Sequence, residues 1–337
     1  MVTASPWWSR NRHGDRRPFL LARNRTKAAM RRYFEGDGFT EVECAALQIS
    51  PGNETHLHAF STHADTGRQY YLHTSPEFAC KKLLAAGETR IFDFARVFRD
   101  RETAPVNVPE FTMLEWYRAD EDYSTVIADC AHLLDIAIES AGTSAFAYRG
   151  RSLDAAIEPQ RISVADAFTR YAGVDLLATL DDREALAEQV GCACSDSDTW
   201  SDIFSRILVE RVEPHLGFEA PTILDQYPRV EAALARASLH DARVAERFEL
   251  YVLGVELANG FGELTDPVEQ RKRFEHEMDE KQRIYGERYP IDEDLLAALA
   301  HMPQASGVAL GFDRLIMLAT GAPHIEDVMW TPPAGRA

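Results

Sequence analysis

Residues 96–118 read RVFRDRETAPVNVPEFTMLEWYR, and the fold is decided there. They continue an apolar-alternating run, Ile91, Phe92, Phe94, Val97 and Phe98, which predicts a strand ending on Arg99. A loop with Pro105 and Pro109 follows. Then Phe111, Met113, Glu115 and Tyr117 alternate with Thr112, Leu114 and Trp116, the period-two pattern of a second strand. One strand pair thus gathers an arginine, an aromatic ring, a carboxylate and a phenol around a single loop. Arg99 alone would read as an incidental surface charge of a hairpin. Glu115 does not, because it shares a strand face with Phe111 and Met113.

This stretch resembles motif 2 of the class II aminoacyl-tRNA synthetases, in the version used by the lysyl enzymes. Residues 20–325 resemble their short paralogues, the family (EpmA, PoxA or GenX) that attaches a lysine-type amino acid to elongation factor P. The resemblance implies an α+β fold, a class II synthetase-like catalytic domain with a mostly antiparallel sheet flanked by helices. It places that domain at 21–330, after a basic N-terminal arm at 1–20 and with a helical insertion at about 160–240. Motif 2 departs from the family in three places. Arg101 stands where a glutamate is expected, with Glu102 one place late; Asn107-Val108 replaces His-Asn; Pro105 replaces an arginine. Valine can neither donate nor accept a hydrogen bond. The family roles of these positions are therefore not carried over.

The surrounding pattern is consistent with that domain. Residues 20–35 predict a helix and 39–44 a strand, together resembling motif 1, the family's dimerisation element, with Ala45 in place of its proline. A strand at 70–73 runs into Thr74-Ser75-Pro76-Glu77, and a helix spans 78–86. Residues 124–141 form a helix with Ser124 as cap and Gly142 beyond its end. Ser163 and Asp166 form a capping box. Residues 178–240 read as helical, interrupted by Pro214, Pro221 and Pro228. Residues 247–252 and 255–260 predict a hairpin about Leu253-Gly254. A two-residue turn would oppose Tyr251 to Glu256 and Glu249 to Ala258, with Glu249 and Glu256 on one face. Asp266-Pro267 opens a helix to Tyr285. A strand at 307–311 then enters a helix ended by Gly321, resembling motif 3.

Class II synthetases join an amino acid to ATP, so an anion must approach a polyanion; arginines and magnesium at the phosphates stabilise that approach. The resemblance implies that Arg99 and Arg314 are the catalytic arginines, gripping ATP from two sides. It implies further ATP contacts from Asp100, Phe111 (stacked on adenine), Glu256, Leu257 and Gly311. Glu249 and Glu256 match the family's FE-x6-E spacing and are the expected Mg2+ ligands, hard oxygens on one sheet face. For a lysine-type amino acid the resemblance assigns Glu115, Tyr117 and Glu263 to the distal ammonium. It assigns Ser75, Pro76 and Glu77 to the amino group nearer the reacting carboxylate. The segment ELANGFGELTD at 256–266 nearly repeats the lysine-specific subgroup. Ala309 stands where tRNA-charging enzymes carry glycine and factor-modifying paralogues alanine. One methyl in a tight pocket shifts isomer preference by roughly 1–3 kcal/mol, so lysine or (R)-β-lysine is the expected substrate.

The chain has 337 residues, 45% apolar and 27% charged, the composition of a globular protein. It contains no 18-residue apolar run and no signal peptide is expected, so no membrane association is predicted. Cys44, Cys80, Cys130, Cys192 and Cys194 form no CxxC pair and suit thiols in a reducing cytoplasm. The net charge is −18, yet residues 1–32 carry nine cations and one acid, leaving −26 on the rest. A basic segment at 10–32 on an acidic body suits one acidic macromolecule, and acidic, tRNA-shaped elongation factor P is the expected partner. Motif 1 begins near residue 22, which leaves no room for an anticodon-binding barrel, so tRNA is not the expected acceptor. Motif 1 predicts a homodimer. Two other readings share these residues: activation of an amino acid for another acceptor, and a catalytically silent lysine-binding paralogue.

Overall fold

The computed structural model describes residues 6–102, 104–191, 195 and 198–333; Cys192 and Cys194 lie outside them. Its eight-stranded sheet comprises β1 (Thr40–Glu41), β2 (Arg90–Phe98), β3 (Glu110–Ala119), β4 (Gln160–Ser163), β5 (Thr222–Asp225), β6 (Arg247–Val252), β7 (Val255–Gly262) and β8 (Ala305–Gly311). The spatial order is β1-β2-β3-β8-β7-β6-β5-β4. Only the outermost pairs, β1 with β2 and β4 with β5, are parallel. The flanking helices are α1 (Arg10–Gly36), α2 (Glu77–Ala85), α3 (Tyr123–Ala141), α4 (Pro267–Tyr285), α5 (Glu293–Leu299) and α6 (Phe312–Thr320). This is the expected α+β class.

Strand alternation divides the sheet into two faces. Phe92, Leu114, Trp116 and Leu310 point toward α1, α3 and α6 and form the main core with Phe34 and Phe312. Trp116 is fully buried, a contribution of about 2–3 kcal/mol. Its indole N–H donates to Asp129 at 3.0 Å. The same carboxylate accepts two 2.8 Å bonds from Arg118 and one of 2.7 Å from Tyr33. A buried charge met this completely locks α1, β3 and α3 into one register.

Among the described residues, two apolar clusters cover the opposite face near its ends. Over one end Phe78 of α2, Phe274 of α4 and Leu296 of α5 pack on Ile91 and Tyr117. Over the other, Phe168, Phe204 and Tyr227 pack on Leu224 and Tyr251. Between them lies the cleft. Among the described residues no helix is long and apolar enough to cross a membrane.

Four segments differ from expectation. Helix α1 starts at Arg10 and runs through Pro18, so the first basic residues belong to a packed helix. Tertiary bonds hold it: Arg12 pairs with Asp327 at 2.7 Å, and Arg16 donates to the Glu326 carbonyl at 2.9 Å. Arg16 and Arg23 are buried, while Arg10, Arg17, Arg25 and Arg32 are exposed along one side of the helix. The cap of α3 is Asp122, which accepts from the Ser124 N–H at 2.8 Å. The 160–240 region is framed by β4 and β5, and its helices, including Arg183–Val190 and Trp200–Ile207, form their own core between those strands. In the β6–β7 hairpin, Leu253 and Gly254 have φ of 52° and 74°, as a type I′ turn requires. Tyr251 opposes Glu256 as expected. A bulge then leaves Leu257 unpaired, so Glu249 opposes Asn259 and not Ala258.

Candidate active site

The bulge assembles the floor of the cleft. Beyond an extra residue a strand's side chains change faces, so Glu256 and Asn259, three apart, both look into the cleft. Glu115, Ala309, Asn259 and Glu249 consequently form one row across β3, β8, β7 and β6. Asn259 had no role in the sequence reading, because a bulge leaves no hydrophobic signature.

A cavity of about 300 Å³ opens over this floor. Of the expected residues, Arg99, Phe111, Glu249, Glu256, Leu257, Ala309, Gly311 and Arg314 line it. The Arg99 guanidinium lies 5.4 Å over the Phe111 ring and donates to the Thr74 carbonyl at 3.2 Å. Arg314, in the first turn of α6, donates to the Glu256 carbonyl at 2.8 Å and to Asn107 Oδ1 at 2.7 Å. Its neighbour Asp313 accepts from the Thr112 N–H at 2.7 Å and pairs with Arg23, which fixes the helix start against β3. A third guanidinium is that of Arg247, which sequence reasoning passed over. It sits 4.2 Å over the Tyr227 ring and bonds Glu249 at 2.7 Å. Burial opposes its charge, and Glu249, Tyr227 and Glu231 more than restore it.

Glu249 also accepts from the Tyr251 hydroxyl at 2.6 Å. Burial, then repulsion from Glu249, pushes the Glu256 carboxyl up, against the pull of Arg314 and Arg99. Two carboxylates that repel across one cavity suit a hard cation. Among the described residues no group of three or more His, Cys, Asp or Glu gathers to hold one. Magnesium is satisfied by one or two carboxylates when substrate phosphates and water complete the shell. The donor set fits that ion.

The motif 2 departures resolve structurally. Arg101 adopts φ 64° and turns out of the cleft to pair with Glu287 and approach His58 Nε2 at 3.4 Å. This left-handed turn absorbs the extra residue, so Glu102 lines the cavity and accepts from the Asn107 amide. Val108 is buried in the main core. Asp100, an expected ATP contact, is exposed outside the cavity, where its carboxylate accepts from the Arg101 N–H at 2.8 Å.

A second, smaller hollow is lined by Ser75, Pro76 and Glu77 together with Thr74 and Gly52. Glu115, Tyr117 and Glu263 lie buried beyond these walls. The Tyr117 hydroxyl donates to Glu115 at 2.6 Å, and the other oxygen, Glu115 Oε2, is buried with no partner. Lys81, also unforeseen, puts its ammonium 2.6 Å from Glu77 and 2.7 Å from Glu263. The i,i+4 spacing of Glu77 and Lys81 was the one available signal. Burial opposes the Lys81 charge, but Glu263 and Glu77 outweigh it and hold its pKa up. Burial raises Glu263 to about 7 despite Lys81, and raises Glu115 well above the usual range with Glu77 adding to it. Gly307 makes the packing possible: a Cβ there would lie 2.3 Å from the Tyr117 ring and 2.8 Å from Glu263 Oε1.

The chain is similar to known proteins over nearly its whole length. The family described as tRNA synthetases class II (D, K and N) matches residues 7–334. The elongation factor P–(R)-β-lysine ligase of Haemophilus ducreyi is 39% identical over 319 residues, 92% of this chain and 92% of its own length. The protein of that name from Pectobacterium carotovorum is 40% identical over 321 residues, covering 92% and 93%. That from Proteus mirabilis is 39% identical over 324 residues, covering 93% and 94%. With a site built on the same motifs, the chain belongs to the class II tRNA synthetase family of the D, K and N type, in its branch of elongation factor P–(R)-β-lysine ligases.

Proposed function

We propose that this chain is an ATP-dependent ligase that activates lysine or (R)-β-lysine as an aminoacyl adenylate and transfers it to a lysine side chain of elongation factor P. One observation carries the reading. Three guanidinium groups and a carboxylate pair surround one cavity, and the buried acids Glu115 and Glu263 adjoin it together with the half-buried Glu77. The first set matches a triphosphate and the second a diamino acid.

In the first half-reaction the substrate carboxylate attacks the α-phosphorus and pyrophosphate leaves. Arg99 steers the carboxylate to the α-phosphate, and its stacking over Phe111 limits its freedom to swing away. Arg314, tied at three points to the loop and to β7, holds the leaving end. Its fork is preorganised, so little reorganisation is needed as charge moves. Glu249 and Glu256 would hold magnesium, which supplies charge neutralisation at the phosphates. At the other end the unpartnered Glu115 Oε2 receives the distal ammonium, an ion whose buried charge needs such a partner. Glu77 and Ser75 take the nearer amino group, and the Ala309 methyl beside Glu115 limits where the carbon chain can bend.

In the second half-reaction the acceptor amine attacks the adenylate carbonyl and AMP leaves. The exposed arginines of α1 are the docking face for an acidic acceptor, and an overall charge of −18 disfavours tRNA. A homodimer through motif 1 completes the proposal. ATP–pyrophosphate exchange with L-α-lysine, (R)-β-lysine and ornithine tests it. Stimulation by a lysine isomer is expected; ATP binding without exchange on any of them would favour the silent paralogue.

A further inference from the structure

The acceptor amine poses a problem that the residues above leave open. A lysine ammonium has a pKa of about 10.4, so near neutral pH only about one molecule in a thousand carries the lone pair that attacks. The carboxylates already described are committed elsewhere. Glu77 and Glu263 hold Lys81, Glu115 accepts from Tyr117, Glu249 holds Arg247 and Tyr251, Glu102 accepts from Asn107, and Glu256 faces the cation position.

Glu54 is different in place, in support and in partners. Among the described residues it is the one that lines both the nucleotide cavity and the hollow of Ser75 and Glu77. It therefore stands at the junction where the acyl carbonyl of an adenylate must lie, between Arg99 on the phosphate side and Glu77 on the amino side. The loop carrying it is pinned from behind. Lys281 of α4, fully buried, donates to the carbonyls of Thr55 at 2.9 Å and Leu57 at 2.6 Å. Glu277 accepts from the Thr55 N–H at 3.0 Å, and the Ala59 N–H donates to the Tyr289 hydroxyl at 3.0 Å. Yet the Glu54 carboxylate itself makes no hydrogen bond to the described residues. A loop anchored this firmly to display one free carboxylate at a reaction junction is organised for proton transfer.

We propose that Glu54 is the general base that deprotonates the acceptor lysine in the transfer step, a role resting on the ligase reading above. The acceptor ammonium gives one proton to the Glu54 carboxylate. The freed lone pair attacks the acyl carbon, the C–N bond forms, and the C–O bond to the phosphate breaks. The departing AMP phosphate takes the second nitrogen proton, leaving a neutral amide.

The electrostatics agree. Burial pushes the Glu54 carboxyl up to about 7, with Glu77 and Glu277 adding to the rise and Arg99 and Arg247 opposing it. The Lys281 ammonium faces the same loop. A base of that pKa is about half ionised at neutral pH, mostly ionised a unit above it, and accepts a proton readily.

The test compares Glu54→Gln and Glu54→Asp with the unsubstituted protein, using pyrophosphate exchange and single-turnover transfer from preformed adenylate to elongation factor P. For Glu54→Gln the ratio of transfer to exchange is expected to fall about 100-fold near pH 7.5. The transfer profile should also change shape. The unsubstituted protein levels off above about pH 7, whereas Glu54→Gln keeps rising tenfold per pH unit toward the amine pKa. Glu54→Asp retains the plateau at a lower rate. An unchanged ratio, or a Glu54→Gln profile that still levels off near 7, would overturn the proposal. So would a higher KM for the amino acid in exchange with transfer falling in proportion, which would make Glu54 a substrate-ammonium ligand. Absence of exchange in the unsubstituted protein would remove the ligase reading itself, and the base with it.

Discussion

Replacing Lys81 with methionine keeps most of the side-chain volume and removes one ammonium from between two carboxylates. The side chains of Lys81 and Glu263 are each 1% exposed. Removing one partner of such a pair costs about 3–5 kcal/mol, because the remaining charge stays buried without compensation. Here the cost depends on pH. Glu263 is raised to about 7, against roughly 4.3 for an unfolded glutamate. Its ionisation therefore penalises the native state increasingly as pH climbs from about 4 to 7. Without Lys81 the folded pKa rises further, and the penalty extends to higher pH. Lys81, whose own pKa is raised, stays charged throughout this window. The deficit of Lys81→Met should be largest near pH 8 and shrink toward pH 5.5, where Glu263 escapes by protonation. At about 2 °C per kcal/mol for a chain of this size, the lower bound at pH 8 is a fall in Tm of roughly 6 °C. Differential scanning calorimetry at the two pH values measures it. A pH-independent gap, or one that widens in acid, would refute the reasoning.

Ala309→Gly should move the ratio of kcat/KM for (R)-β-lysine over L-α-lysine toward the α isomer by roughly tenfold, the worth of one methyl in a tight pocket, measured by exchange kinetics. Arg314→Lys loses a planar fork that serves three acceptors, and exchange should drop about 100-fold with little change in Tm. Glu256→Gln should raise the magnesium concentration needed for half-maximal exchange, read from a titration at fixed ATP. Reversing the exposed charges Arg17 and Arg32 to glutamate should raise the KM for elongation factor P in transfer and weaken its salt dependence, while exchange with free amino acid measures the intact site.

Much of this was legible because the chemistry lies on regular strands. The alternation through Phe111, Met113, Glu115 and Tyr117 predicted both β3 and the side of it that is turned toward the cleft. The run into Phe312 likewise placed Arg314 at a helix start. What escaped lies where one residue breaks the period or where tertiary contact overrides local preference. The Leu257 bulge moved Asn259 into the site, and the left-handed Arg101 returned Glu102 to it; neither leaves a mark in a hydrophobic pattern. The helix expected from residue 20 begins at Arg10 and passes through Gly14 and Pro18, because the buried Arg16 and its bonds to the C-terminal segment hold α1 there. Strands β4 and β5 are four residues each and pair across the whole insertion, a contact that no local window contains. Lys81 reads in sequence as one more surface lysine. Only the fold shows it closed between two acids.

The central claim is covalent transfer, and the intact mass of elongation factor P tests it most directly. Purified factor incubated with this protein, ATP, Mg2+ and (R)-β-lysine or L-α-lysine should gain the mass of one lysyl residue, on a single lysine located by peptide mapping. AMP should appear in equal amount. An unchanged mass, alongside exchange that shows the adenylate is formed, would contradict the account and direct the search to another acceptor.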